Sequence, residues 1–139
     1  MQSQPEPQCR LIELPRIAAA NGDLTFLDSG PHVPFAVRRV YYLYDVPAGA
    51  RRGSHAHRQL QQFLVAVAGS FDVWIDSGAG RARYRLDRPD RGLCVVPMTW
   101  IELTDFSAGA VCLVLASDDH REDDYVRDYD EFLAARRAR

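Results

Sequence analysis

The chain has 139 residues and a mass of 15.7 kDa, with 47% hydrophobic and 26% charged residues, a length that fits one domain able to bury a real core. A formal net charge of −2 excludes the basic balance of a nucleic-acid binder or of a protein held on an anionic membrane. All 17 basic residues are arginine, which excludes Schiff-base chemistry on a lysine.

The polar opening, Met1 to Gln8, contains two prolines and has the character of neither a signal nor a transit peptide. Residues 1–9 are expected to be flexible and residues 10–139 to form a single domain. Arg10 to Leu14 reads as a short strand closed by Pro15. Asn21-Gly22 is a hairpin-turn signal, with Leu24 to Leu27 as the strand that follows it. Ser29-Gly30-Pro31 and Pro34 mark a loop. Val37 to Val46 is rich in β-branched and aromatic residues and reads as a longer strand.

After a turn at Pro47-Ala48-Gly49-Ala50 comes Gly53-Ser54-His55-Ala56-His57. On a strand, residues i and i+2 share a face, so both imidazoles project into one space while Ser54 and Ala56 turn away. Imidazole moves protons near neutral pH and is also the commonest metal ligand. The two histidines are therefore candidate acid/base groups or candidate ligands.

Short strands separated by turn residues continue the chain: Phe63 to Val67, Phe71 to Ile75, Ala82 to Leu86, Leu93 to Val96, Trp100 to Leu103 and Val111 to Ala116. Alternation places Arg81, Arg83 and Arg85 on one face, and the unbroken apolar run at Val111 predicts an interior strand. This many short strands predicts an all-β sandwich or barrel. From Asp123 the period changes: Tyr125, Tyr129, Phe132 and Leu133 fall at i, i+4, i+7 and i+8, one face of a predicted C-terminal helix. Acids lead it and arginines trail, as the helix dipole favours.

Cys9, Cys94 and Cys112 are odd in number and widely spaced, with no CxxC. They read as structural thiols in a reducing cytoplasm. No apolar run approaches the roughly 20 residues of a membrane helix. The expected location is cytoplasmic, with no membrane and no nucleic acid among the partners.

Gly53, His55-x-His57, Gln62 and Gly69 follow the spacing of the cupin β-barrels, in which a glutamate usually stands where Gln62 does. An amide is a poor ligand beside imidazole and carboxylate. An open site of His55, His57 and Glu102 is the remaining metal-binding arrangement, Glu102 standing where a later histidine is usual.

More closely, the chain resembles the dTDP-4-keto-6-deoxyglucose 3,4-ketoisomerases, a metal-independent cupin family of the WxcM-like, FdtA/QdtA type. The resemblance runs through Pro34-Phe35, Arg39-Val-Tyr-Tyr42, Arg52-Gly53-x-His55-Ala-His57, Gly69-Ser70, Gly92-Leu93, Pro97-x-x-Trp100, Asp105-Phe106, Val114-Leu-Ala-Ser117 and Asp124-Tyr-x-Arg-x-Tyr-Asp-x-Phe132. It implies a cupin jelly-roll barrel (a double-stranded β-helix) with a C-terminal helix. It also implies a homodimer and a dTDP-linked keto-deoxysugar as substrate, in deoxysugar biosynthesis such as that of lipopolysaccharide O-antigen. No cofactor and no metal are implied. The catalytic residues it implies are His55, His57 and Tyr41; those expected to hold the substrate are Arg39, Arg52, Gln62, Trp100 and Glu102. One position departs from the pattern: Asn21 stands where the family usually has an arginine near the active site. His32 and His120 read as bystanders.

Overall fold

Turn residues cut the chain into short strands across residues 8–138, which the computed structural model describes. In order these are β1 (Arg10–Glu13), β2 (Arg16–Ile17), β3 (Leu24–Thr25), β4 (Arg39–Leu43), β5 (Arg52–His57) and β6 (Gln62–Ala68). They continue as β7 (Phe71–Asp76), β8 (Arg81–Leu86), β9 (Arg91–Val95), β10 (Trp100–Thr104), β11 (Val111–Ala116) and β12 (Tyr125–Val126), followed by helix α1 (Tyr129–Arg137). Two antiparallel five-stranded sheets result, in the orders β1-β9-β6-β11-β4 and β12-β5-β10-β7-β8. β11 is an interior strand, as its apolar run predicts.

Alternation sends one side chain of each neighbouring pair inward. Leu64, Leu93 and Val114 from the first sheet meet Val73, Ile101 and Leu103 from the second in one buried cluster, the core of the jelly roll. Close packing leaves no room for a side chain at Gly92, where a Cβ would lie 2.1 Å from the Phe63 ring. The outer face of the first sheet (Phe63, Val65, Cys94, Leu115) is covered by Leu14 and Val33 from the N-terminal segment. On the outer face of the second sheet, Ala56, Trp100 and Val126 pack in one cluster with Phe132 of α1. Arg81 and Arg85 on β8 reach Asp76 and Asp72 on β7 at 3.9 and 3.0 Å, which accounts for the arginine face.

Three readings change. Leu24–Thr25 pairs with Arg16–Ile17, so the Asn21-Gly22 turn joins β2 to β3 and not the strand at Arg10, which pairs instead with β9. Pro15 separates the two functions by breaking the chain between β1 and β2. Tyr125 is not helical: it belongs to β12, and α1 begins only at Tyr129, capped by Asp128 accepting from the Glu131 N–H at 2.9 Å. Cys9, counted with the flexible end, is half-buried, its Sγ 3.7 Å from Thr99 Oγ1; residues 1–7 lie outside the described residues. Cys94 and Cys112 are buried free thiols. Among the described residues no helix is long and apolar enough to cross a membrane.

Candidate active site

The site is set by a fault in β5. Gly53 and Ser54 both have left-handed backbones, φ +85° and +61°. Across the ladder, Glu102 opposes Gly53 and the very next register position, Ile101, opposes His55, so Ser54 is the extra residue of a β-bulge. A Cβ at Gly53 would stand 3.0 Å from the Ile101 carbonyl oxygen, so glycine is the residue that fits this close approach. Beyond the bulge Ala56 turns outward beneath α1, and His55 and His57 turn inward, their ring centroids 4.9 Å apart and nearly perpendicular.

β12 completes this wall. It pairs Tyr125 with His57 and Val126 with Ala56, so the tyrosine shares the inner face with the imidazoles while the valine joins the cluster under the helix. The Tyr125 ring lies 4.4 Å from that of His57 and 5.0 Å from that of His55. The facing sheet supplies Arg39 and Tyr41 from β4 and Gln62 from β6. A cavity of about 490 Å³ lies between, lined by Arg39, Tyr41, Arg52, His55, Gln62, Tyr125 and Arg127 among others.

Hydrogen bonding fixes what each group offers. The His55 Nδ1 stands 3.1 Å from the Gly53 carbonyl, which can only accept, so Nδ1 carries the proton and Nε2 keeps its lone pair. Burial first, then the neighbouring His57, pushes the His55 pKa down to about 4, so the ring is neutral at physiological pH. His57 is also pushed down, by burial, against the opposing pull of Asp124. Gln62 Nε2 donates to the Tyr41 hydroxyl oxygen at 2.8 Å, leaving that hydroxyl's own proton free to donate. Burial raises the Tyr41 pKa to about 12, so it remains a donor. The Arg39 guanidinium lies 4.6 Å from the Tyr41 ring centre, and that of Arg127 lies 4.1 Å from the Tyr125 ring centre.

Of the eight residues singled out in the sequence, six meet here: His55, Tyr41, Arg39, Arg52 and Gln62 line the cavity, and His57 lies behind them at 5% exposure. Trp100 and Glu102 do not join them. On β10 the inward positions belong to Ile101 and Leu103, so Trp100 and Glu102 face outward into a separate cleft of about 570 Å³. There Trp100 packs against Phe132, and Glu102 lies 3.6 Å from Arg51 and 3.5 Å from Arg81. The arrangement of His55, His57 and Glu102 as ligands is therefore not formed. Among the described residues no three His, Cys, Asp or Glu side chains come together to hold a metal ion.

Asp124, Tyr125 and Arg127 were not singled out. Their signal is the run Asp124-Tyr-x-Arg127, whose helical spacing with Tyr129 and Phe132 conceals a two-residue strand. His120, read as a bystander, stands with Nδ1 3.4 Å from the Tyr125 hydroxyl. Asn21, at the turn between β2 and β3, does not line this cavity.

The FdtA family model, described as WxcM-like, C-terminal, matches residues 7–137. A TDP-4-oxo-6-deoxy-α-D-glucose-3,4-oxoisomerase of Aneurinibacillus thermoaerophilus is 41% identical over 123 residues, 88% of each chain. The crystal structure of QdtA, a sugar 3,4-ketoisomerase from Thermoanaerobacterium thermosaccharolyticum in complex with TDP, superposes with a TM-score of 0.91 at 35% identity, covering 94% of this chain and 95% of that one. The TDP-quinovose 3,4-ketoisomerase WlaRB of Campylobacter jejuni gives a TM-score of 0.87 at 40% identity, over 91% and 97%. With its cupin-type barrel and a family match that spans nearly the whole chain, this protein belongs to the FdtA, WxcM-like family of TDP-sugar 3,4-ketoisomerases, enzymes that carry out an intramolecular oxidoreduction.

Proposed function

We propose that the chain converts a dTDP-linked 4-keto-6-deoxyhexose to its 3-keto isomer through an enediol, with His55 as the base. The observation that carries this reading is the His55 ring, which lines the cavity with Nδ1 tied to a carbonyl and Nε2 unprotonated. The C4 ketone acidifies the C3 proton. His55 Nε2 takes that proton, the electron pair forms the C3–C4 double bond, and negative charge moves to O4. The O3 proton passes to O4. As O3 closes to a ketone, the proton on His55 returns to C4, and the atoms balance with no redox partner.

Tyr41, held as a donor by Gln62, keeps its proton and donates a hydrogen bond to the oxygen on which charge develops. Arg39 and Arg52 hold the diphosphate through bidentate contacts. The homology of the chain to TDP-sugar enzymes supports the nucleotide assignment. A homodimer, cytoplasmic like other enzymes of soluble nucleotide sugars, completes the reading.

Incubation with dTDP-4-keto-6-deoxyglucose in deuterium oxide, followed by NMR, tests it. The 3-keto isomer is expected, with exchange at the carbons that gain or lose a proton. Recovery of unexchanged substrate would leave the chain a ligand-binding barrel without this activity.

A further inference from the structure

The segment just before β12 carries a carboxylate whose surroundings are all donors. Asp124 Oδ1 accepts the Gln59 N–H at 2.8 Å, and Oδ2 accepts the Leu60 N–H at 3.3 Å and His57 Nδ1 at 3.0 Å. Its own backbone carbonyl accepts the Arg58 N–H at 2.9 Å, so the residue is anchored at both ends. An ionised carboxylate accepts and never donates, and here that leaves one consistent pattern. His57 Nε2, meanwhile, is buried with no hydrogen-bond partner among the described residues.

We propose that Asp124 is the positioning residue of the histidine pair: it holds His57 as the Nδ1–H tautomer and so keeps Nε2 an acceptor. Asp124 does not line the cavity and acts through His57 alone. Tyr125, the next residue, covers the ring face at 4.4 Å, so one short segment fixes the imidazole both in its plane and across it. An imidazole backed by a carboxylate is a stronger acceptor, and its protonated form is stabilised where it forms. The catalytic consequence rests on the ketoisomerase reading; the tautomer does not.

The test substitutes Asp124→Asn. The Gln59 N–H, the shorter of the two backbone bonds at 2.8 Å, favours the amide oxygen at the Oδ1 position, which puts the amide NH₂ at the Oδ2 position toward His57 Nδ1 and forces the ring to the Nε2–H form. In nitrogen-15 NMR of histidine-labelled protein without substrate, wild-type His57 is expected to carry its proton on Nδ1 and the variant on Nε2. With dTDP-4-keto-6-deoxyglucose, kcat is expected to fall about 10- to 100-fold with KM changed less than about twofold, the usual size of an effect transmitted through one residue. Asp124→Glu, which keeps the carboxylate, should recover part of the loss. A wild-type His57 protonated on Nε2 overturns the proposal even if the asparagine variant does not fold. An unchanged kcat in a variant whose tautomer has switched overturns its catalytic part. If the wild type itself lacks ketoisomerase activity, the functional reading fails while the spectra still decide the tautomer.

Discussion

Tyr125 stands directly across the strand pairing from His57, its ring 4.4 Å from that imidazole and 5.0 Å from that of His55. A tyrosine over two imidazoles keeps water from both, and burial is the first cause holding both pKa values down. A base must be unprotonated to act, so this cover extends activity to lower pH. Tyr125→Ala is expected to let the His55 pKa rise from about 4 toward the ordinary 6.5. The acid limb of the kcat/KM profile should move up with it, costing activity at pH 5 to 6 while sparing it at pH 8. Tyr125→Phe retains the ring and should retain the limb. An acid limb that stays in place in the alanine variant would show that the ring does not control these histidines.

The histidines themselves are expected to separate in effect. His55→Asn removes the cavity-lining base and should lower turnover by about two to four decades, the worth of a positioned acid or base. His57→Asn should fall in the same range while leaving the cavity lining intact, so KM should hold. Stability supplies a second readout. Between about pH 4 and 6.5 the unfolded chain protonates residue 55 and the folded chain does not. Unfolding therefore takes up a proton there, and stability falls as the pH falls through that window. Melting temperatures measured across it should decline less steeply for His55→Asn than for the wild type. Parallel curves would place the His55 pKa near its ordinary value.

Among the described residues Arg39 and Arg52 face the cavity with no carboxylate in ion-pair range, whereas Arg127 is paired with Glu122 at 2.8 Å. Guanidinium groups that line a cavity with no carboxylate beside them suit a diphosphate. Arg39→Ala and Arg52→Ala are each expected to raise KM about 10- to 100-fold, the worth of one charge-assisted contact of about 1.5–3 kcal/mol. The loss should shrink with rising salt in the wild type's own KM as well. Steady-state kinetics at two ionic strengths reads both. A fall in kcat with KM unchanged would move these arginines from diphosphate binding to the chemistry.

The parts of this molecule that can be read from sequence are the parts fixed by local rules. β6 to β11 follow from alternation and from turn residues, and His55 and His57 share a face because the strand period says so. The misplacements are all matters of which strand meets which. Tyr125 and Tyr129 fit a helix face as well as any pair does, and only the pairing of Tyr125 with His57 and of Val126 with Ala56 makes the first of them a strand residue. Family spacing groups Trp100 and Glu102 with the histidines, yet the register of β10 against β5 turns Ile101 and Leu103 inward. The bulge at Gly53-Ser54 shifts that register by one residue and leaves no mark in hydrophobic periodicity.

Assembly is the last expectation. β1 pairs with β9 of its own barrel and forms one edge of its sheet. Other apolar side chains remain uncovered: Val40 and Tyr42 on the outer face of β4, the edge of that sheet opposite β1, are 55% and 59% exposed, and Leu24 on β3 is 55% exposed. An edge strand with apolar side chains outward is a pairing or packing surface that proteins rarely leave open. A two-fold axis would set it against its own copy. Light scattering at micromolar concentration is expected to give twice 15.7 kDa. Tyr42→Asp and Leu24→Asp, both exposed and neither in the cavity, should reduce that mass to a single chain while leaving the β-sheet spectrum unchanged. A wild type that already scatters as 15.7 kDa rejects the dimer, and a dimer indifferent to both substitutions puts the interface on another face.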